Sequence, residues 1–450
     1  MSSIAMNSPA MNQDCTRRTA IKLGGALAIP LFLPGFAGRE SNPADALRIG
    51  CIGTGRMGRG DMRAIRRRGL DPAVNARIVA VCDVDALRAE AARADCERDY
   101  RAKLGGDSAP KVAVFRDFRE LLARKDIDGV TISSPDFWHA GHAVAAAKAG
   151  KDVYLQKPMT YSVGEGIKLV QAVREAKIIL QVGSQQRSDA RFRRACELVR
   201  NGRVGKLQRI VVSLPPDRGR GVGVATPVPK NLDYDLWLGP TGVKPYAAHR
   251  VHPQKGFGRP GWLQIEGYCR GMITGWGSHM NDIAQWGHGT DRDGGVTEIS
   301  ATAKFPDRGL FDVHTKFSSR ARYADGVELI QQTGAPAGVR FIGSKGSIFV
   351  RRGGIEAEPA SILKEKIGDD ETQLYVSTDH YRNFLDCMRS RKEPICPVEV
   401  GHRSNSLCII THIAMKLGRK LHWDPSKERF RDDAEANRLL DFERRAPWTL

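Results

Sequence analysis

The chain lacks the features that mark several common protein classes. Its nine cysteines, spread over 450 residues, form no C-x-x-C pair and no zinc-ligand spacing. That excludes a disulfide framework and a structural zinc module. Cys51 and Cys82 fall inside apolar runs, where cysteine behaves as a small apolar residue. The absence of internal repeats and low-complexity tracts excludes solenoids and linker-rich arrays. No nucleic-acid motif accompanies the net charge of +19. Lys and Arg are scattered, with only short clusters such as Arg351-Arg352, so the charge reads as a solvated basic surface suited to acidic polymers or an anionic cell envelope. Beyond residue 33 no apolar run is long enough to span a bilayer.

What is present is 450 residues with 41% hydrophobic content, enough for two globular cores. The sharpest motif follows the apolar run 47–52. Gly53-Thr54-Gly55-Arg56-Met57-Gly58 is a G-x-G-x-x-G sequence opening a helix. The first glycine allows a tight turn, the second close backbone approach, and the third close helix packing, so that a diphosphate meets bare amides at a helix start. The next apolar run, 77–83, ends on Asp83. A carboxylate at that strand tip accepts from a ribose 2′-hydroxyl and repels a 2′-phosphate, which points to NAD rather than NADP. The same acid would also serve as a plain helix cap.

From residue 47 to 184 strands and helices alternate. Strands are expected at 112–115, 129–133, 152–155 and 178–183, and helices at 86–100, 118–122 and 140–149. Such alternation demands a parallel sheet with right-handed crossovers and a ligand over the strand carboxyl ends. The second half, 185–450, offers strands near 207–213, 297–305 and 339–343, and a hairpin into 348–350. Helices are expected at 380–390 and 402–417, and the tail from 432 onward should lie back over the body. The Pro- and Gly-rich span 214–261 has the length of a loop that borders a cleft. The fold class is therefore α/β, with a doubly wound Rossmann domain followed by a second α/β domain. Residues 1–37 read as a twin-arginine (Tat) export signal, with Arg17-Arg18 ahead of a weakly apolar run and cleavage expected after Ala37, or after Ala46 as the second choice. Ala20 stands where such signals favour Phe. Export would place the mature protein in the periplasm or otherwise outside the cytoplasm, free of the membrane after cleavage.

Several stretches in order carry a family resemblance: Gly53 to Gly58, Ser134-Pro135 with His139, residues 150–158 ending in Gln156-Lys157-Pro158, Gln181-Val182-Gly183, residues 273–279, Gly401-His402-Arg403-Ser404, and 417–425. Together they resemble the Gfo/Idh/MocA oxidoreductases, in an exported branch with a bacterial-type C-terminal domain. The resemblance implies an open, mainly antiparallel sheet in the second domain, and NAD as cofactor with no metal counted beside it. It implies a small carbohydrate substrate and a homo-oligomer built on the open sheet face.

The resemblance also implies roles for particular residues. Gly53, Gly55, Arg56, Met57, Gly58, Asp83, Ser134, Pro135 and Lys157 are the candidate cofactor contacts. Lys157, at a strand end beside the nicotinamide, would donate to the reacting oxygen. His279 would serve as general base. The family's usual Glu before that lysine is Gln156 here, and the Asp four residues before the histidine is Gly275. Asp282, one turn beyond His279, is the candidate to orient it, or with it to hold a divalent ion. Arg187, Tyr246 and His249 are candidate substrate contacts. His139 reads as structural and Asp136 as a helix cap. The activity implied is hydride transfer between NAD and the CH–OH group of a sugar, polyol or glycoside. Two alternatives stand beside it: glycoside cleavage through a 3-keto intermediate that borrows NAD, and a non-catalytic NAD-holding sugar binder.

Overall fold

The computed structural model describes residues 46–106 and 109–450; the expected signal over residues 1–37 lies outside them. The first half builds β1 (Leu47–Ile52), α1 (Arg56–Gly69), β2 (Ala76–Cys82), α2 (Ala86–Leu104), β3 (Ala113–Phe115), α3 (Phe118–Leu122), β4 (Gly129–Ile132), α4 (Asp136–Lys148), β5 (Asp152–Leu155), α5 (Val163–Ala176) and β6 (Leu180–Val182). The six strands form one parallel sheet in the order β3-β2-β1-β4-β5-β6. Every residue of β4, β5 and β6 is buried, as expected of parallel strands covered by helices on both faces.

Register decides what this sheet presents. Ile52 pairs with Cys82 and with Ile132, Ile132 with Leu155, and Leu155 with Val182. The strands thus end in one row, and the residues that follow them emerge side by side along one edge: Gly53, Asp83, Ser133, Gln156 and Gly183. The order of strands reverses direction beside β1, and this is where a doubly wound sheet opens a crevice.

The second half contributes α6 (Ala190–Arg200), β7 (Leu207–Leu214), α7 (Tyr234–Leu238), α8 (Met272–Gly275), α9 (Gly277–His288), β8 (Val296–Lys304), β9 (Lys316–Tyr323), β10 (Glu328–Thr333), β11 (Gly338–Gly343), β12 (Ser347–Arg351), β13 (Gly354–Glu358), α10 (His380–Ser390), α11 (Val398–Leu417), β14 (Leu421–Asp424), β15 (Arg429–Phe430) and α12 (Ala434–Arg438). Its nine-stranded sheet runs β13-β12-β11-β7-β10-β9-β8-β14-β15. All pairings are antiparallel except β7 with β10. One face packs on α9 and α11 through a core that includes Leu329, Phe341, Met280, Ile283, Ile409 and Ile413. The other face is polar: β9 alternates exposed and buried along its whole length, and Arg209 and Arg320 both pair with Glu328 across it. Among the described residues no helix is long and apolar enough to cross a membrane.

The chain then returns to the first sheet. Phe384, Leu385 and Met388 of α10 pack into the core formed by β1 and β2, so a helix from the far end of the sequence covers one face of the first domain. The expected helix 402–417 starts four residues early, at Val398, because Pro397 ends the preceding segment with a φ suited to a helix start. The tail does lie over the body. Trp448 packs edge-on against Trp138 at 4.8 Å, and Arg445 reaches Asp235 and the Gly239 carbonyl.

Candidate functional site

The glycine turn is built as its spacing requires. Gly53 has φ +83°, and a Cβ there would sit 2.6 Å from the Ser134 nitrogen. At Gly58 a Cβ would come within 1.9 Å of the Gly53 carbonyl oxygen, so only glycine lets α1 pack against the turn. No side chain caps α1 and its first turn carries no acid, which leaves its leading N–H groups and positive dipole end free for an anion. Asp83 accepts from the Thr54 backbone N–H at 2.8 Å and hydroxyl at 2.9 Å, and from the Asp85 N–H at 3.0 Å. A carboxylate offers about four acceptor positions, so capacity for a ribose hydroxyl remains. A cradle that excludes Cβ atoms, an uncapped helix start and a strand-tip carboxylate together fit a dinucleotide.

The long loop 214–261 closes on this turn. Leu232 bridges to Asp85. Asp85 also bonds the side chains of Asn231 at 2.9 Å and His252 at 2.8 Å. Arg88 donates to the carbonyls of Pro253 and Gly256, and Phe257 stacks under the guanidinium groups of both Arg59 and Arg88. The loop therefore fastens the second domain over the diphosphate cradle.

From the cradle a cleft of about 930 Å³ runs between the domains. Its inner end is lined by Gln156, Lys157, Gly275, Trp276 and His279. Lys157 follows β5, and burial lowers its pKa while Asp136 pulls the other way. Asp136 itself is buried at the start of α4, and burial pushes it up to about 7 against the pull of Lys157. It is not the cap residue of α4: that position is Pro135, without a side-chain bond. The expectation of a capping role is thus corrected, because the carboxylate faces Lys157 instead. His279, in the first turn of α9, is buried with Nδ1 unpartnered among the described residues. Burial first, then the Lys157 and Arg352 cations, hold it well below its ordinary pKa, so its imidazole is neutral at physiological pH. His139 bridges the carbonyls of Pro158 at 2.6 Å and Ser134 at 3.0 Å, which joins the two turns that border the cleft.

A second layer supports Lys157. Asp61 of α1, fully buried, accepts from Ser133 at 2.7 Å, Tyr381 at 2.7 Å and the Gln156 amide at 2.9 and 3.0 Å. Burial raises its carboxyl to about 6 although all three donors lower it. The sequence did hold a signal for this residue: Gly58, Asp61 and Ile65 share the buried stripe of α1, and an acid at a core position needs partners.

The cradle residues Gly53, Gly55, Arg56, Met57, Asp83, Ser134 and Pro135 all line the cleft with Lys157 and His279. Gly58 supports the turn from behind. The structure places the remaining candidates elsewhere. Arg187 is buried and grips Asp282 through two bonds of 2.7 and 2.8 Å and Asp291 at 3.0 Å. Ser404 donates to the same Asp282 at 2.8 Å. Neither Arg187 nor Asp282 lines the cleft, because each neutralises the other inside the core. Tyr246 is packed edge-on against Tyr234 at 5.3 Å, and His249 is exposed on the long loop. Both lie off the cleft wall.

Two family models match this architecture. Residues 47–184 match an oxidoreductase family NAD-binding Rossmann fold, and residues 218–450 match the same family's C-terminal alpha/beta domain. The chain belongs to the Gfo/Idh/MocA oxidoreductase family. Among its Gfo/Idh/MocA relatives, the myo-inositol 2-dehydrogenase of Thermotoga maritima is 31% identical over 160 residues, which cover 36% of this chain and 42% of that protein. An inositol 2-dehydrogenase 3 of Saccharopolyspora erythraea is 33% identical over 160 residues, covering 35% and 42%. The chain thus spans less than half the length of these curated relatives. The WlbA dehydrogenase from Bordetella pertussis, solved with NADH and UDP-GlcNAcA, superposes with a TM-score of 0.60 over 84% of this chain and 99% of that one at 19% identity, and shares the fold.

Proposed function

We propose that this protein is an NAD-dependent oxidoreductase acting on the CH–OH group of a sugar, polyol or glycoside. The observation that carries the reading is that Lys157, from the first domain, and His279, from the second, line one cleft with the glycine cradle. When bound, NAD supplies a hydride acceptor or donor at its nicotinamide ring. Lys157 donates a hydrogen bond to the substrate oxygen, and burial, which lowers its pKa, favours release of its proton. His279, neutral at working pH, accepts the hydroxyl proton. Asp136 balances the charge that Lys157 carries. The loop fastened over the cradle through Asp85 and Arg88 supports a dinucleotide that stays bound between turnovers.

The test is native mass spectrometry of the purified chain for retained NAD, followed by absorbance at 340 nm with a panel of sugars and polyols. A nucleotide-free protein that binds NAD only weakly and turns over nothing refutes the reading. Free sugar released from a glycoside with no net absorbance change replaces it with the 3-keto cleavage route. Export rests on the Arg17-Arg18 pair ahead of the weakly apolar run, and cell fractionation tests it. A homo-oligomer rests on the open outer face of the nine-stranded sheet, and light scattering tests that.

A further inference from the structure

Two arginines stand on the wall of the same cleft. Arg259 comes from the end of the long loop and Arg352 from the turn between β12 and β13, 93 residues later in the sequence. Both line the cleft with Lys157 and His279, and among the described residues neither makes an ion pair. The contrast with Arg191, on the same wall, is direct. Arg191 is held by Asp189 through bonds of 3.0 and 2.6 Å. Asp189 also faces Arg352, but its bonds are made with Arg191. Asp217, the acid that faces Arg259, is turned inward and accepts from the Met272 N–H and the Gln264 amide, each at 2.6 Å.

Arg352 is also fixed in place. Its guanidinium lies 4.7 Å over the Trp276 ring, and Trp276 packs edge-on to His279 with centroids 6.2 Å apart. The guanidinium is therefore stacked, with its N–H fork free, one side chain away from the proposed base. Beside it Gly275 leaves open, uncharged space, since a Cβ there would meet nothing within 4 Å. The acids Asp83 and Asp117 line the cofactor part of the cleft. At the inner end the cations Lys157, Arg259 and Arg352 face Asp136, and beyond it acids already bonded elsewhere: Asp61, Asp189 and Asp217. Both arginines keep an exposed face on the cleft wall, where a ligand anion can reach the guanidinium groups and form charge-assisted bonds.

We infer that the substrate is an anionic carbohydrate, a sugar carrying a carboxylate or a phosphate ester, whose charged group is received by Arg352 and Arg259 beside the reacting CH–OH. This rests on the reading of the cleft as the site of sugar oxidation and narrows the substrate class.

The experiment compares matched sugars on the NAD-loaded full chain: glucose with glucuronate and glucose 6-phosphate, and galactose with galacturonate. Affinity is read by calorimetry and turnover at 340 nm. Charge-assisted bonds to guanidinium groups predict that an acidic member binds about 10–100-fold more tightly than its neutral parent, with an advantage that shrinks as salt is raised. Whichever of uronate and phosphate ester wins identifies the anion. Arg352→Gln should abolish the difference between each acidic sugar and its neutral parent. Gly275→Asp, which adds a negative charge where space is free, should lower acidic-sugar affinity without unfolding the chain. Neutral sugars handled as well as acidic ones, with Arg352→Gln silent, overturn this inference and leave the oxidoreductase reading standing. An Arg259→Gln variant that loses NAD but keeps the preference for acidic sugars removes Arg259 from the anion site. No binding or turnover of any sugar overturns both readings.

Discussion

The side-chain amide of Gln156 donates to both carboxylate oxygens of Asp61, at 2.9 and 3.0 Å. Gln156 precedes Lys157, so the carboxylate behind the lysine is supplied by helix α1 and not by the strand. Tyr381 and Ser133 complete its hydrogen bonding. Asp61 is thus a positioning residue, since it touches Gln156 and not the cleft. Asp61→Asn keeps the shape but sets an amide against three donors, and an unsatisfied buried group costs about 1–3 kcal/mol. We expect a lowered unfolding midpoint in urea together with a kcat loss of about 10-fold, from a Lys157 displaced out of line. The pH–rate profile should shift as well, which a purely structural role would not produce.

The cradle gives a sharper test. Gly58→Ala would place a methyl group 1.9 Å from the Gly53 carbonyl oxygen, and backbone cannot yield as a flexible side chain can. The start of α1 must move away from the turn. NAD retained on purification should fall below detection, and calorimetric affinity for added NAD should drop by about 10-fold or more. Gly60→Ala, two positions on where a Cβ meets nothing within 4 Å, should retain its nucleotide.

How much of this was legible in the sequence follows from how far apart the partners lie. The cradle and the strand-tip acid are local, a turn followed by a helix and a strand followed by a carboxylate, and both read directly. The support under Lys157 is not local. Asp61 and Gln156 are separated by 95 residues, as are Arg187 and Asp282, and nothing within a window of either reveals the other. That is why Arg187 and Asp282 looked like cleft residues: a charged side chain near a functional motif is usually solvated or functional, and only the fold shows that each has its counter-ion. Strand β9 escaped for another reason. It alternates exposed and buried, but its inward residues Phe317, Ser319, Ala321 and Tyr323 include two small ones, so the alternation in hydropathy is faint. Helix α9 is buried from Gly277 to Gly287, so no solvent-facing polar stripe marks it in the sequence.

The proton chemistry assigned to Lys157 and His279 separates by variant. Lys157→Met and His279→Gln should each lower kcat by about 100–10,000-fold, the range of a lost general acid–base contribution. His279 lies outside the cradle and is not among the cofactor contacts, so NAD retained by His279→Gln should be unchanged by mass spectrometry. A His279→Gln protein with full turnover would dismiss the histidine as base.

Asp136 predicts a pH dependence of stability. Its folded pKa of about 7 lies above the ordinary 3.8, so between these values the folded state binds more protons than the unfolded chain, and stability falls as pH rises through that window. Asp136→Asn cannot titrate. The difference in unfolding free energy, wild type minus variant, should decline from about pH 4 to pH 7 and be flat outside it. The total decline should be on the order of 4 kcal/mol at 1.36 kcal/mol per pKa unit. Urea titrations at intervals across that range measure it, and a flat difference would mean that Lys157 keeps Asp136 ionised throughout.

Arg187 decides between a structural and a functional arginine. In the fold its guanidinium sits between Asp282 and Asp291 and lies 4.8 Å from the centre of the Trp286 ring. The side chains of Arg187 and Asp282 are only 3% and 1% exposed, so no solvent replaces a lost partner. Arg187→Met strands the two acids in the core and should cost about 3–5 kcal/mol of stability, read as a lower denaturation midpoint. Had Arg187 bound substrate, the same change would raise KM and leave stability nearly intact. We expect the reverse, a KM unchanged in whatever fraction stays folded. Adding Asp282→Leu to Arg187→Met should recover part of the loss, since replacing both members of a buried ion pair by apolar groups is often close to neutral. A substrate contact would show no such recovery.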